Sequence, residues 1–159
     1  MERDPQPEPW DTEGALTVDQ PDGFETPESA AMYGFPAKYC CVITSRLEGD
    51  RAYVLLNTGS KDDPYLYGVN CKRQEGRWFE TGSANMPGWE QTHHNPDVGT
   101  LSVWGEAPAD ADSVRVTFDG KTVEEVVIGG AYLFVWWRVP SGIWPRLAAF
   151  RRAGHWVQA

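Results

Sequence analysis

"SVRVTFDGKTVEEVVIGGAYLFVWWRV", Ser113 to Val139, is the stretch that decides the fold. In its first part Val114, Val116 and Phe118 alternate with Arg115 and Thr117. A period of two places the apolar set on one face of a half-buried strand. Asp119–Gly120 follows, a dipeptide that tight hairpins favour because both central residues take positive φ. "TVEEVVI" reads as the returning strand, Gly129–Gly130 as the next turn, and "AYLFVWWRV" as a third strand. On that strand Ala131, Leu133, Val135, Trp137 and Val139 share one face, and Tyr132, Phe134, Trp136 and Arg138 the other. Both faces are apolar, which marks a strand covered on both sides. A two-layer sandwich covers only one of them. The face of Tyr132, Phe134, Trp136 and Arg138 is therefore expected to lie against the first half of the chain, the N-terminal tail or a partner.

Working outward, "TLSVWGEA" precedes this stretch, and "RLAAFRR" and "HWV" follow it. Short strands with turn signals every 8 to 12 residues predict a small β-sandwich over residues 99–159. "ANMPGWEQTHHNPDVG" has Pro, Gly, Asn and Asp punctuation and no apolar period, so residues 84–98 read as a connector. Before it, "KYCCVITSRL", "RAYVLLNT", "YLYGVNCKR" and "RWFETGS" are four strand signals in sequence, predicting an antiparallel meander. "TPESAAMYGF" opens with Thr26 as a cap, Pro27 in the first turn and Glu28 at the positive end of the dipole. It predicts a helix of about two turns, stopped by Gly34 and Pro36. The expected class is α+β, mostly β. A short N-terminal helix lies on a four-stranded antiparallel meander (26–83), followed by an immunoglobulin-like β-sandwich packed on that first half.

The charge is uneven. Of the formal −9, residues 1–28 carry −8, from nine acids and one base. Residues 29–159 carry −1, from 14 acids and 13 bases. Residues 1–25 are rich in Pro and acid and poor in apolar side chains, so they read as a flexible arm. From Val126 onward there are four arginines and no Asp or Glu, which the arm could cover as a tethered competitor. No apolar run approaches the ~20 residues of a membrane helix. The start, "MERDPQPEPW", lacks the pattern of a signal peptide, and a cytoplasmic protein is expected. Three cysteines, Cys40, Cys41 and Cys71, argue against a disulfide framework and read as buried free thiols.

"EGDRAYVLLNTGSKDDPYLYGVNCKRQEGRWFETG", residues 48–82, resembles the sheet half of NTF2-like (SnoaL-type) proteins, where a "GDRA" strand and a "GRW" strand close a curved sheet. The resemblance implies a concave face, although the residues from Thr26 to Ala37 are too few for the helices of that family. "GEAPADADSVRVTFDGKTVEEVVIGGAYLFVWW", within residues 99–157, resembles bacterial immunoglobulin-like modules, which implies a fold and not an activity.

Tyr65 and Tyr67, with Trp78, could line a pocket on the meander, with Glu80, Trp89, His93 and His94 around it. His93 and His94, with Glu90 or Asp97, match no zinc spacing, and no metal or other cofactor is implied. The acids Glu80, Glu90, Glu124 and Glu125 form no legible catalytic set. Trp, Tyr and Arg are the hot-spot residues of interfaces, and Tyr132, Trp136, Arg138, Trp144, Arg151 and Arg152 gather them. A net charge near neutral outside the arm argues against nucleic acid as the partner. The leading expectation is a non-enzymatic module that binds another protein, such as an immunity-like inhibitor or accessory regulator. A small-molecule binder or small enzyme on the meander, or a structural homodimer, are the alternatives.

Overall fold

The computed structural model describes residues 22–35, 40–85, 88–93, 98–140 and 142–159, with 88–93 and 98 described by backbone alone. The chain divides into two units, residues 1–85 and 86–159.

The first unit is a helix on a sheet. Helix α1 spans Pro27–Met32, and Thr26 Oγ1 accepts a hydrogen bond from Ser29 N at 3.1 Å. That cap satisfies one of the donors a helix start leaves open. Strands β1 (Cys41–Glu48), β2 (Arg51–Asn57), β3 (Leu66–Gln74) and β4 (Arg77–Ala84) pair antiparallel in the order β1-β2-β3-β4. Ala30 and Ala31 of the helix pack on Ala52, Val54 and Leu56 of β2, Val69 and Cys71 of β3, and Trp78 of β4. Tyr53 and Leu55 point to the opposite face of β2 and are also fully buried. The unbroken apolar run of β2 is explained by burial on both faces. Phe24 adds a short bridge to the β4 edge: its N–H donates to Trp78 O and its carbonyl accepts from Trp78 N. Gly23 takes φ +74° beneath the Phe79 ring, where a Cβ would fall 2.7 Å from Phe79 Cζ.

The thiols differ from the expectation of buried cysteines. Cys71 is buried, but Cys40 is half-buried and Cys41 is exposed, because β1 is an edge strand that begins at Cys41. Burial first, and then the Glu80 and Glu28 carboxylates, push the Cys71 thiol far above its usual range. The folded state therefore holds it protonated, donating to Pro27 O at 3.6 Å. In the unfolded chain it ionises near the ordinary thiol value of 9.0, so this contribution to stability is present below about pH 9 and lost as pH rises above it. Two results are expected. A thiol reagent modifies Cys41 first in native protein and reaches Cys71 only on unfolding. The drop in urea midpoint between pH 8 and pH 10.5 is smaller in Cys71→Ala than in the parent.

The second unit is a sandwich of two antiparallel sheets. Strands β5 (Gly88–His93), β6 (Val98–Glu106) and β9 (Ala131–Pro140) form one, in the order β5-β6-β9. Strands β7 (Ala111–Phe118), β8 (Lys121–Val126), β10 (Arg146–Arg152) and β11 (His155–Gln158) form the other, in the order β11-β10-β7-β8. Strand β5 lies inside the stretch read as a connector. Its sequence, "GWEQTH", has no apolar alternation, and pairing to β6 from Gly88↔Trp104 to His93↔Gly99 gives it strand form. Asp119–Gly120 and Ala153–Gly154 are two-residue turns with both φ positive, as Glu75–Gly76 is in the first unit.

The interior of the sandwich holds Val103, Tyr132 and Phe134 from one sheet against Val114 and Val116 from the other, with Leu147 and Phe150 packed on them. The Tyr132 and Phe150 rings meet at 5.8 Å across the layers, and Phe118 meets Trp136 at 4.6 Å. The face of Tyr132, Phe134 and Trp136 is thus covered by the second sheet of its own unit. Leu133 and Trp104, paired on the opposite face, are buried too.

The simple alternation of β9 fails at Arg138. Gly99 pairs with Val139 and Leu101 with Trp136, so Trp137 and Arg138 stand opposite Thr100 alone. This is a β-bulge, and Arg138 takes φ +55° in it. Val139 turns to the side of Trp136, packing with Leu101 and Phe118, and Arg138 goes to solvent. Left-handed backbone costs a non-glycine residue about 1–2 kcal/mol.

Candidate functional site

The residues proposed for a meander pocket do not share one environment. Trp78 is buried in the helix-side core, with the Arg73 guanidinium 5.6 Å from its ring centroid. Glu80 is buried opposite Cys71. Tyr65 is exposed and Tyr67 half-buried, with their rings 5.5 Å apart. Tyr67 also packs on Phe35 at 4.9 Å, and Asn85 Nδ2 donates to Tyr65 Oη at 3.1 Å. The tyrosines come together as expected from i, i+2 spacing. The β2–β3 loop that leads into them is fixed by Asn57, whose Oδ1 accepts from Gly59 N at 2.9 Å and Tyr65 N at 3.0 Å. The backbone of Trp89 and His93 lies in β5, and their side chains lie outside the described residues, as does all of His94. Among the described residues no group of three His, Cys, Asp or Glu side chains is placed to hold a metal ion. At the β3–β4 hairpin a depression is lined by Asp22, Gln74, Glu75, Arg77 and Phe79. Its arginine is engaged in holding backbone, donating to Asp22 O and Gly23 O.

The aromatic and arginine residues of the second unit fall into two places. The first is the outer face of the four-stranded sheet. There the Arg115 guanidinium lies 3.6 Å from the Trp156 ring centroid, and Arg151 lies 5.9 Å from the same ring. Arg151 pairs through Nε with Asp112 Oδ1 at 2.7 Å, and Arg152 with Asp110 Oδ1 at 2.7 Å. The hydrogen bond from Arg151 holds the Asp112 carboxyl below the usual carboxylate range and raises Arg151 in return. Two of the arginines expected to meet a partner are therefore neutralised within the unit. The stacking of Arg115 on Trp156 is not legible in the sequence. The two residues are 41 positions apart, and only the β7-β10-β11 register brings them together.

The second place is the corner where β9 passes into β10. Tyr132 and Trp136 are inside the sandwich, but Arg138, Trp144 and Arg146 face solvent, with Trp144 57 % exposed. Ile143 packs on Leu101, Phe118 and Val139, and Pro145 is buried, so apolar side chains on both sides of Trp144 tie the segment down. Among the described residues the guanidinium groups of Arg138 and Arg146 make no ion pair, hydrogen bond or ring contact. Arg146 pairs with Thr117 in β7, beside the Asp119–Gly120 turn, so the corner sits at that end of the sandwich.

The chain matches no family model, no curated protein and no solved structure. Geometry therefore carries the functional reading. An anchored, exposed indole with two unpaired guanidinium groups on the same connection suits contact with another macromolecule.

Proposed function

We propose that the chain is a non-enzymatic protein-binding module that meets its partner through the β9–β10 corner. The observation that carries this is Trp144, more than half exposed on a segment held by Ile143 and Pro145, between Arg138 and Arg146. A large apolar ring kept in water by anchored neighbours gains most when a partner removes it from water. The strand order supports the reading. β5-β6-β9 over β11-β10-β7-β8 follows the immunoglobulin-like arrangement, with the fourth strand moved to the second sheet. Modules of that kind present loops at the ends of a rigid sandwich. An immunity-like inhibitor or an accessory regulator would use such an end.

The test is capture by the full chain, with the captured protein identified and rebound in purified form. Trp144→Ala is expected to weaken that binding by at least tenfold, with unchanged circular dichroism and urea midpoint, since exposed substitutions change stability within about 0.5 kcal/mol. Equal affinity of parent and Trp144→Ala would refute the corner as the contact.

A further inference from the structure

The four non-glycine residues with positive φ among the described residues are Glu75, Asp119, Arg138 and Ala153. Three of them precede a glycine in a two-residue hairpin turn, and that turn type requires the left-handed backbone at both central positions. Arg138 has no such reason. It lies inside β9, at a bulge where glycine would sit without strain. Its side chain does not repay the strain within the unit, because it is exposed and its guanidinium is unpaired among the described residues. Strain that the fold does not need, on a side chain aimed at solvent, points to a ligand outside the fold.

Charge says which ligand. Of the four arginines after Val126, Arg151 and Arg152 already hold Asp112 and Asp110, and Arg138 and Arg146 have no described anion. The guanidinium fork matches a carboxylate through two parallel N–H···O bonds. Two unpaired cations on the same connection as an exposed indole suit a short acidic segment. A nucleic-acid backbone needs a longer basic stripe.

We infer that Arg138 is the anchor of the β9–β10 corner and that its occupant is a carboxylate-rich segment of the partner protein. This rests on the protein-binding reading of the same corner and adds the chemistry of the partner. An aromatic side chain that shields such an ion pair from water lengthens the life of the contact, the role this inference gives to Trp144.

The experiment uses the full chain, with fluorescein-labelled deca-glutamate, deca-glutamine and single-stranded deca-thymidine as probes. The parent is expected to bind deca-glutamate, with affinity falling as salt is raised, and to bind neither other probe comparably. Arg138→Gly is expected to bind deca-glutamate at least tenfold more weakly while melting at a higher temperature, because glycine relieves the bulge. Arg138→Lys keeps the charge without the fork and is expected to fall between them. The inference is overturned if the parent does not bind deca-glutamate, if Arg138→Gly binds it as the parent does, or if deca-thymidine binds as tightly. Failure of the wider reading shows separately. If Trp144→Ala loses the captured protein and Arg138→Gly keeps it, the corner is an interface and the acidic occupant is wrong; if both variants keep it, the corner is not the interface.

Discussion

Trp78→Ala is expected to lower the stability of the chain by about 3–5 kcal/mol, read as a fall in urea midpoint by circular dichroism. Trp78 is 4 % exposed and touches the core beneath α1. Its backbone also makes both hydrogen bonds to Phe24, so the side chain sits where the sheet edge, the N-terminal bridge and the helix core converge. Deleting the indole leaves a cavity in a cluster whose other buried members are all smaller, Ala30, Ala31, Ala52, Val69 and Cys71 among them, and so refill it poorly. Since native proteins are stable by about 5–15 kcal/mol, this loss takes a large share of the total. Tyr65→Ala is the control. With 51 % of Tyr65 exposed, its replacement is expected to cost only about 1 kcal/mol, for the ring contact with Tyr67 and the hydrogen bond from Asn85. Comparable small losses at both positions would mean that Trp78 lines an open concavity and not a core.

Phe134→Ala is expected to cost about the same, roughly 3–5 kcal/mol, in the second unit. The ring is 2 % exposed, stacked on Trp136 at 5.8 Å with an interplanar angle of 11°, and edge-on to Tyr132 at 6.3 Å. It packs with Val103, Val114 and Val116 between the two sheets. Its loss uncouples the layers at their middle, and aromatic pairing adds to the area that is lost. A Phe134→Ala protein that melts like the parent would show that this face awaits a partner. Paired with Trp144→Ala, which is expected to leave stability alone, the measurement separates side chains that hold the fold from those that present a surface.

Much of the architecture was legible because local chemistry wrote it. Thr26, Pro27 and Glu28 announced α1, and Asp119–Gly120 announced a hairpin whose φ values require just that turn. The alternation of Val114, Val116 and Phe118 named the inner face of β7. What failed was non-local. Strand β5 owes its form to the backbone of β6, which composition does not record. The bulge at Arg138 inserts one residue without a glycine to mark it, and so moved Val139 to the face opposite the one alternation assigned. Tyr132 and Phe134 are covered from inside the sandwich, and a sequence does not say which of two apolar faces is the inner one. For the candidate site, Arg138 and Trp144 were visible as residue types. That Arg151 and Arg152 are already neutralised, and that Arg115 lies on Trp156, depends on distances across strands.

The two strand orders also set two different folding schedules. In β1-β2-β3-β4 every strand pairs with its neighbour in sequence, so each pairing closes over one short connection. In the second unit β6 must find β9 across residues 107–130, and β7 must find β10 across the β8 and β9 strands between them. Non-local pairing is slower, because loop-closure entropy is met before the contacts return it. The meander also leaves the ribosome first. Nascent chains should therefore carry an ordered first unit while the Trp104 and Leu133 strands are still unpaired and adhesive, and it is in that interval that the chain is most exposed to aggregation.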